Sequence, residues 1–343
     1  MKIKSLSILN TEEGLDYLAE LTKGVIENIQ AGLVSVDMKN DELSGDPDAG
    51  TLTAKRFANA EAEDYGTART TGKGKKVKAL EVSVKIDKDK EFVEEIEAKD
   101  IRLYGVDGLL QRRSANHVLR AISNLDKAFF KVAYDNGTEV EIDKTLSIAE
   151  KLDALINECA NTQNEYVDGV DKDYMRLVLC STWYSAIRND IDKRSNPNVN
   201  TADATFERWH GVRVDESVHL PTGCDAILMV NGAVAQPVHF DAYQAEKIQL
   251  SNAYGVSLFY NYGTEAVTPD LIFIPKLVEA TADSGSNGGD NGTTEETTPT
   301  YTAVENPTGN PSTSGYYEKN GDEYTLSTDT TVDSEKTYYT LDT

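Results

Sequence analysis

Cysteine is scarce in this sequence, and no apolar run is long. The three cysteines, Cys159, Cys180 and Cys224, form an odd and widely spaced set, which excludes a disulfide framework and a CxxC metal pair. We predict that they are buried free thiols. No apolar stretch approaches the ~20 residues that cross a bilayer, and the first residues lack the apolar core of a secretory signal. The sequence therefore predicts a protein that folds in a cytoplasm and has no membrane partner.

The motifs of catalysis, nucleotide binding and metal binding are also missing. The four histidines show neither an HExxH motif nor other close metal spacing, and no GxSxG nucleophile elbow occurs. The Gly-rich stretch 66–76 does not end as a P-loop does, because Lys73 is followed by Gly74 rather than by Ser or Thr. The acidic run that begins at Asp87 lacks the Gly and Glu that an EF-hand requires. We therefore predict no catalytic residue, no cofactor and no metal.

Basic residues are few compared with acidic ones, 34 against 58, which gives a formal net charge of −24. Affinity for nucleic acid depends mainly on Lys and Arg side chains that neutralise phosphates, so sequence-specific DNA binding is disfavoured. The charge suits a protein that lies near DNA without adhering to it. A hydrophobic fraction of 39% and a mean hydropathy of −0.47 indicate a soluble chain that still buries a core.

The composition changes near the C-terminal end. Residues 276–300 are rich in Gly, Ser, Thr and Asn without apolar periodicity, which predicts a flexible linker. Residues 301–343 hold six of the 17 tyrosines in short Tyr/Thr runs, and Asn320-Gly321 is a hairpin signal. We predict a small all-β module there. From Lys276 onward the chain has three basic and 13 acidic residues, so this part carries −10 of the net charge.

Apolar residues recur at helical spacing in two parts of the body. Residues 11–31 predict a short amphipathic helix, with Asn10 and Glu13 spaced as a capping box. A longer run over residues 106–132 predicts a spine helix of about 26 residues, or about 39 Å. Gly137 is predicted to end that helix.

A long β-arm is predicted between these helices. RFANAEAEDYG is the expected outgoing strand. On the returning strand Val82, Val84 and Ile86 alternate with polar residues, which indicates one half-buried face.

A mixed α/β region is predicted after the spine helix. Ser147 and Glu150 are spaced as a second capping box, at the start of an apolar stripe that ends at Cys159. The expected strands are MRLVLC, GVRVDESVHL, CDAILMVNG, VSLFYNYG and LIFIPK, and the expected helices are STWYSAIRND and HFDAYQAEKIQL.

The order of these parts resembles the major capsid proteins of tailed bacteriophages, whose fold is shared with bacterial encapsulin shells. The resemblance is carried by KEFVEEIEAKDIRLYGVDGLLQRR, MRLVLCSTWYSAIRND and HGVRVDESVHLPTGCDAILM and covers about residues 1–276. It implies an α+β tailed-phage major capsid fold with a small C-terminal all-β module added. The implied divisions are an N-terminal arm and short helix (1–50), an extended β-arm or E-loop (51–100), a spine helix and axial α/β domain (101–275), the linker (276–300) and the C-terminal module (301–343).

The resemblance also implies a function. It predicts a structural protein, not an enzyme, that self-assembles into the hexamers and pentamers of an icosahedral shell enclosing double-stranded DNA. Its expected location is the virion, after synthesis in the host cytoplasm. No long coiled-coil scaffolding region precedes the arm, so the expected partners besides further copies of itself are a separate scaffolding protein, a portal, and packaged DNA bound without sequence specificity.

In such shells the extended arm lies across a neighbouring subunit, which suits a basic tip followed by an acidic base. The residues expected to contact a neighbour are Arg69, Lys73, Lys75, Lys76 and Lys78 of the tip, the apolar Val82, Val84 and Ile86, and Glu91, Glu94, Glu95 and Glu97 of the base. Ion pairs between tip and base would set the register of subunits around a ring. The same charge pattern also fits a solvated hairpin.

Other functions remain open on the sequence alone. An encapsulin-type nanocompartment shell keeps the fold and changes the cargo. A surface carbohydrate-binding protein or adhesin would use the Tyr-rich module as its binding site, but would need an export signal. A tail-tube or decoration protein would normally lack the long spine helix. The module at 301–343 is expected on the outer surface, as a binding module or as a passive one.

Overall fold

The computed structural model describes residues 5–46, 50–60, 62, 64–66, 76–97, 99–192, 199–200 and 205–279, and nearer the C-terminus 301–303, 316–320, 323–327, 331–333 and 336–341. The chain forms two compact units, Met1–Ala282 and Asp283–Thr343.

The helices are α1 (Glu12–Gly32), α2 (Ile101–Asn136), α3 (Ile148–Ala160) and α4 (Ser181–Asp192), with short 3-10 helices at Leu6–Asn10, Val36–Met38, Lys172–Tyr174 and Pro269–Leu271. The strands of the first unit are β1 (Leu43–Asp46), β2 (Thr51–Phe57), β3 (Ala79–Lys85), β4 (Lys88–Ile96), β5 (Thr138–Asp143), β6 (Met175–Leu179), β7 (Val199–Asn200), β8 (Thr205–Phe206), β9 (Arg208–Trp209), β10 (Val212–Glu216), β11 (Ala226–Val230), β12 (Val234–Ala235), β13 (Val238–Phe240), β14 (Gln244–Lys247), β15 (Tyr254–Tyr262), β16 (Glu265–Ala266) and β17 (Ile272–Val278). Those of the second unit are β18 (Tyr301–Ala303), β19 (Tyr317–Asn320), β20 (Glu323–Leu326) and β21 (Tyr338–Leu341).

The amphipathic helix predicted near the N-terminus is confirmed as α1. The capping box predicted from Asn10 and Glu13 is wrong. Asn10 belongs to the preceding 3-10 helix, and the N-cap is Thr11. The Thr11 hydroxyl donates to the Ile8 carbonyl at 2.6 Å, so it serves the 3-10 helix rather than α1.

The arm is a three-stranded antiparallel sheet in the order β1-β2-β3. The returning strand is confirmed as β3, with Val84 buried and its neighbours exposed. The outgoing strand lies earlier than RFANAEAEDYG, because β2 ends at Phe57. Leu52 and Ala54 of β2 stand opposite Val84 and Val82, so the apolar alternation that both strands need lies in TLTAKRF.

A second sheet follows the arm directly. β4 pairs antiparallel along all of β15, while β13 and β14 pair with opposite halves of the other edge of β15. The helix predicted over HFDAYQAEKIQL is therefore wrong. Buried Tyr243 and half-buried Ala245 alternate with exposed Gln244 and Glu246, and this period of two is typical of a strand.

The spine helix is α2, which spans 36 residues and bends at Gly105, where φ is +71°. Its N-terminal half packs between α1 and the β4–β15 sheet in one apolar core. The helix ends at Gly137 as predicted, but the reason differs. Gly137 has φ of −71°, and a Cβ there would lie 2.6 Å from Ile274 Cδ1 and 2.9 Å from the Ala133 carbonyl oxygen. Close packing rather than a left-handed backbone requires this glycine.

The axial α/β domain contains a mixed six-stranded sheet in the order β5-β17-β11-β6-β10-β9. One face, with Leu177 and Leu228, packs on α3 and α4, and the other, with Val178, packs on Phe129 and Phe130 of α2. Since both faces are covered, all five residues of β6 are buried. The predicted strands MRLVLC, GVRVDESVHL, CDAILMVNG and LIFIPK are confirmed in this sheet, and VSLFYNYG is confirmed as β15 of the sheet beside it. The STWYSAIRND helix is confirmed as α4, and the capping box of Ser147 and Glu150 is confirmed at the start of α3.

The C-terminal unit is a small all-β module, as predicted. Its sheet has the order β18-β21-β19-β20, with every pair antiparallel. The hairpin predicted at Asn320-Gly321 is confirmed, because Asn320 is paired with Glu323 across the turn. Tyr338 is fully buried, and its hydroxyl accepts from the Asp333 backbone N–H at 3.1 Å. β17 continues to Val278, and residues 280–300 of the predicted linker lie outside the described residues.

Candidate functional site

The base of the arm packs against the rest of the same chain. Ala54 and Val84 are almost fully buried against Ala235 and Val267. The next strand, β4, begins three residues after β3 ends, and in between the backbone passes so close to Gly263 that a Cβ there would overlap the Lys85 carbonyl. Val84 is therefore buried within its own subunit, and a neighbour cannot contact it.

Arg56 fastens the arm to the axial domain. Its guanidinium is 12% exposed and donates two hydrogen bonds to the Asp270 carboxylate, at 2.6 and 2.9 Å. It also lies over the Tyr166 ring, 4.4 Å from the centroid. Burial opposes ionisation of Asp270, but the hydrogen bonds and charge of Arg56 outweigh it and hold the pKa of Asp270 below its usual value. The geometry is the planar fork that Lys cannot reproduce.

Lys78, which the sequence placed in the basic tip, lies beside this clamp. Its ammonium is 2.6 Å from a Glu165 carboxylate oxygen, and that hydrogen bond raises the pKa of Lys78. The Glu165 carbonyl also accepts from the Asn59 backbone N–H at 3.0 Å. Both strands of the hairpin are thus tied to the loop around residue 165.

We expect Arg56→Lys to loosen the arm while leaving the rest of the subunit folded. The substitution keeps the charge but loses the second hydrogen bond and the stacking on Tyr166. Amide exchange should become faster in β2 and β3 and stay unchanged in β6. Lys55→Gln is the matched control, since Lys55 is the adjacent residue and its pair with Glu81 is exposed. Equal exchange rates in β2 and β3 of both variants would show that the contacts of Arg56 do not hold the arm.

At the level of the clamp and beyond it, the hairpin exposes apolar side chains. Phe57 is 58% exposed, Leu80 45%, Val77 81% and Tyr65 91%. The Phe57–Ala79 and Arg56–Leu80 pairings bring Phe57 and Leu80 to the same end of the hairpin, where they point to opposite faces. Large apolar side chains exposed on both faces of the hairpin are typical of a segment that another protein covers.

The predicted acidic base is divided between two faces of β4. Glu94 turns toward the spine helix, where Arg113 Nε lies 2.7 Å from its Oε2. Hydrogen bonds from Arg113, the largest influence, lower the pKa of Glu94. Glu91 and Glu95 are exposed on the opposite face, and Glu97 pairs with Lys99 at 2.7 Å. Glu94 is thus engaged within its own chain.

His117 completes this junction between the spine helix and the sheet. It is 3% exposed, its Nδ1 is 2.7 Å from the Tyr243 hydroxyl, and its Nε2 is 3.3 Å from Glu94 Oε1. The ring stacks on Phe92 at 4.7 Å between centroids. Burial lowers the pKa of His117, despite the nearby Glu94 carboxylate.

We expect the unfolding free energy of the subunit to fall as the pH drops below the ordinary His pKa of 6.5, until the pH passes the lower folded-state pKa. In this pH window His117 is protonated in the unfolded chain and neutral in the folded chain. Glu94 adds a second loss below its ordinary pKa of 4.5, because its pKa is lowered in the fold. Denaturant unfolding between about pH 7.5 and about pH 5 measures this slope. His117→Gln should flatten it, whereas His239→Gln, at an exposed site, should not; identical slopes in the two variants would exclude His117 as the source.

The structure brings few of the expected contact residues together. Arg69, Lys73 and Lys75 lie outside the described residues, and Lys76 is exposed. Val82 and Ile86 are half-buried at the arm base. Sequence reasoning missed Arg56, whose partner Asp270 is 214 residues away. It also missed the exposed Phe57. A large apolar residue within a mostly polar arm was a signal that could have indicated a contact surface.

The described residues contain no group of three or more His, Cys, Asp or Glu residues that could hold a metal ion. None of the helices in the described part is long and apolar enough to cross a membrane. Cys159 and Cys224 are buried, as predicted, and burial raises the pKa of each thiol to about 12, so neither is a nucleophile near neutral pH. Cys180 is only half-buried.

A strand-built arm, a long spine helix with a sheet beneath it, and a mixed axial domain together define a capsid-type shell fold. The chain has the fold of tailed-bacteriophage capsid proteins, which confirms the predicted fold class. A chain from the capsid structure of the cyanophage P-SCSP1u matches with a TM-score of 0.55 and 12% identity, over 73% of this chain and 89% of that one.

Two further structures have TM-scores below 0.5. A chain of Mycobacterium phage Che8 is 18% identical, over 66% of this chain and 84% of that one, with a TM-score of 0.48. A chain from the virus-like particle of Pyrococcus furiosus is 9% identical, over 76% of this chain and 100% of that one, with a TM-score of 0.49. No protein family matches the sequence, and no curated protein matches it.

Proposed function

We propose that this chain is the major capsid protein of a tailed phage, a structural protein whose copies assemble into hexamers and pentamers of an icosahedral shell around double-stranded DNA. The observation that carries the proposal is the match to the cyanophage capsid chain over 89% of that chain's length. Function in such a protein is assembly geometry, so its important residues are those between subunits.

The arm supports this proposal independently of the fold match. The arm is held within the subunit as far out as its contacts with Glu165, while Phe57, Val77 and Leu80 remain exposed. A rigid arm with uncovered apolar side chains is what an arm that lies on a neighbour requires. The neighbour then covers these side chains, together with the basic residues that follow at 69–76 and the acidic face of Glu91 and Glu95.

The partners and location follow from the same proposal. The shell requires a separate scaffolding protein and a portal, and it holds DNA without sequence specificity inside the virion, after synthesis in the host cytoplasm. We also propose the division into an N-terminal arm (1–50), an extended arm (51–100), a spine and axial domain (101–275), a linker (276–300) and a module (301–343) on the outer surface.

Negative-stain electron microscopy of the purified chain, beside its mass by light scattering, tests the proposal. Closed shells, rings of five or six, or open tubes of subunits are the expected result, with or without the co-expressed scaffolding protein. Shells that contain a protein cargo and no DNA after phage infection would favour a nanocompartment instead. A chain that stays monomeric across salt and concentration, and with the neighbouring genes co-expressed, would overturn it.

A further inference from the structure

Charge on the β4–β15 sheet is separated between its two faces. Strand residues alternate in direction, so every second residue of β4 shares a face. The face that α1 and α2 cover has Lys88, Lys90, Phe92, Glu94 and Ile96, and the opposite face has Asp89, Glu91, Val93 and Glu95. The register confirms this, because Lys90 stands beside Tyr260 and Phe92 beside Leu258, both buried under the helices.

The neighbouring strand β14 follows the same rule. Lys247 stands opposite Tyr254 on the helix-covered face, and Glu246 stands opposite Gly255 on the other. Only Glu94 breaks the separation, and Arg113 neutralises it. One face of the sheet is therefore acidic and the other basic.

The spine helix extends the basic face. Arg112, Arg120 and Lys127 are exposed, and none has a carboxylate within 4.0 Å among the described residues. Arg120 and Lys127 follow Arg113 at intervals of seven, which puts them on the flank of the helix that Arg113 turns to β4. They lie on the same side of the sheet as Lys90, which is also exposed. Arg112 lies about 100° from Arg113 around the helix, where its guanidinium is exposed and covers the Tyr104 ring at 4.3 Å from the centroid.

The acidic residues of the spine helix do not offset these cations. Asp107 accepts a hydrogen bond from Tyr17 on the other flank, Asp126 is fully buried, and Asp135 pairs with Lys131. The exposed charged residues of α1 are mostly acidic, and this helix lies on the flank that Tyr17 marks. Within the part of the chain that the structure describes, a protein of net charge −24 thus has an uncompensated basic stripe, formed by Lys90, Arg112, Arg120 and Lys127.

We propose that the basic stripe faces the shell interior and contacts phosphates of the packaged double-stranded DNA, while the acidic face of the same sheet points outward. This rests on the proposed function. Three or four cations on one subunit displace few counterions, so each contact is weak, independent of base sequence and sensitive to salt. Repeated over a shell, such contacts hold the outer layer of DNA at the wall without trapping it, because the rest of the surface repels phosphate.

Binding of unassembled subunits to a labelled random duplex of about 24 base pairs, over a salt series, tests this assignment. The slope of log K against log salt counts phosphate contacts, at about 0.9 for each. The variant Arg112→Gln, Arg120→Gln, Lys127→Gln should lower the magnitude of that slope by about 2 to 3 and weaken binding at least about tenfold at low salt.

Two controls separate the stripe from net charge. Lys23→Gln, Lys55→Gln, Lys99→Gln removes the same charge at exposed sites elsewhere and should leave the slope unchanged. The variant Asp89→Asn, Glu91→Gln, Glu95→Gln on the acidic face should also leave the slope unchanged. It should bind the duplex more tightly at every salt concentration, because three negative charges have been removed. Equal slopes in the stripe variant and the lysine control would overturn the proposal.

Failure of the inference is distinguishable from failure of the proposed function. Wild-type subunits that form shells, with a stripe variant that keeps the wild-type slope, reject the stripe and retain the capsid function. Wild-type subunits that never assemble reject the function itself. If the stripe variant keeps its duplex slope but loses binding to a poly-glutamate probe, the stripe binds an acidic polypeptide and the DNA assignment is wrong.

Discussion

Replacing Phe57 and Leu80 by serine should abolish assembly while leaving the subunit folded. Both side chains are about half exposed in the single chain, so the fold depends little on them. Only about half of each side chain remains to be buried, so neighbours that cover both gain about 1.5–3 kcal/mol in total, which the double variant loses at every arm contact. That is about tenfold to a hundredfold in each association constant, and a closed shell multiplies it over many contacts.

The measurement is the fraction of protein in shells or rings, from light scattering and negative-stain electron microscopy, beside the denaturant midpoint of the subunit. Lys55→Ser, Glu81→Ser is the matched control, because it alters an exposed pair on the same hairpin. The control should assemble and the apolar variant should not, with similar midpoints. If the variant without Phe57 and Leu80 forms shells at the wild-type yield, these two side chains make no contact that assembly requires.

Removing the carboxylate of Asp126 should cost about 3–5 kcal/mol of unfolding free energy. This spine residue is fully buried and accepts hydrogen bonds from the Ser35 hydroxyl at 2.7 Å and from the backbone N–H groups of Val34 and Ser35. It thereby fixes the chain that leaves α1 against the spine. Lys39 lies nearby, and burial lowers its pKa to about 8, against the opposing effect of the Asp126 charge. Asp126→Ala leaves these donors without their acceptor and the Lys39 ammonium without a nearby negative charge.

Denaturant unfolding of Asp126→Ala, Asp126→Asn and the double variant Asp126→Ala, Lys39→Met separates the two contributions. Asp126→Asn should retain part of the hydrogen bonding. The double variant should be more stable than Asp126→Ala alone, because Lys39→Met removes a buried cation that has lost a nearby negative charge. Asp135→Ala, at an exposed ion pair of the same helix, should change stability by no more than about 0.5 kcal/mol. If Asp126→Ala is as mild as Asp135→Ala, the junction does not depend on this carboxylate.

Elements with their own periodicity could be predicted from the sequence. The alternation of Val82 and Val84 and the uninterrupted apolar MRLVL each specify a strand whatever surrounds them, and both are confirmed. The capping box at Ser147 is equally local, because both of its hydrogen bonds lie within four residues. Such signals need no knowledge of the tertiary contacts.

Features that depend on distant partners could not be predicted in this way. β14 has only four residues and mixed polarity, and it is a strand because β15 pairs with it. The role of Arg56 could not be predicted, because its partner Asp270 is brought beside it only by the fold. The sequence predicts one acidic surface on β4, but Glu94 points to the other face of the strand and binds Arg113 of the spine helix. The packing of the helix on the sheet determines this contact.

The short passage from β3 to β4 has a mechanical consequence. Only Ile86 and Asp87 separate the arm from β4, and β4 pairs with β15 through nine consecutive residues. A pull along the arm therefore loads those nine pairs in parallel, in shear, rather than opening them one after another. Gly263 sits where this tension enters, with no side chain between the two backbones. In the proposed shell, the arm would therefore pass tension between subunits to the full length of the β4–β15 pairing instead of concentrating it at a hinge.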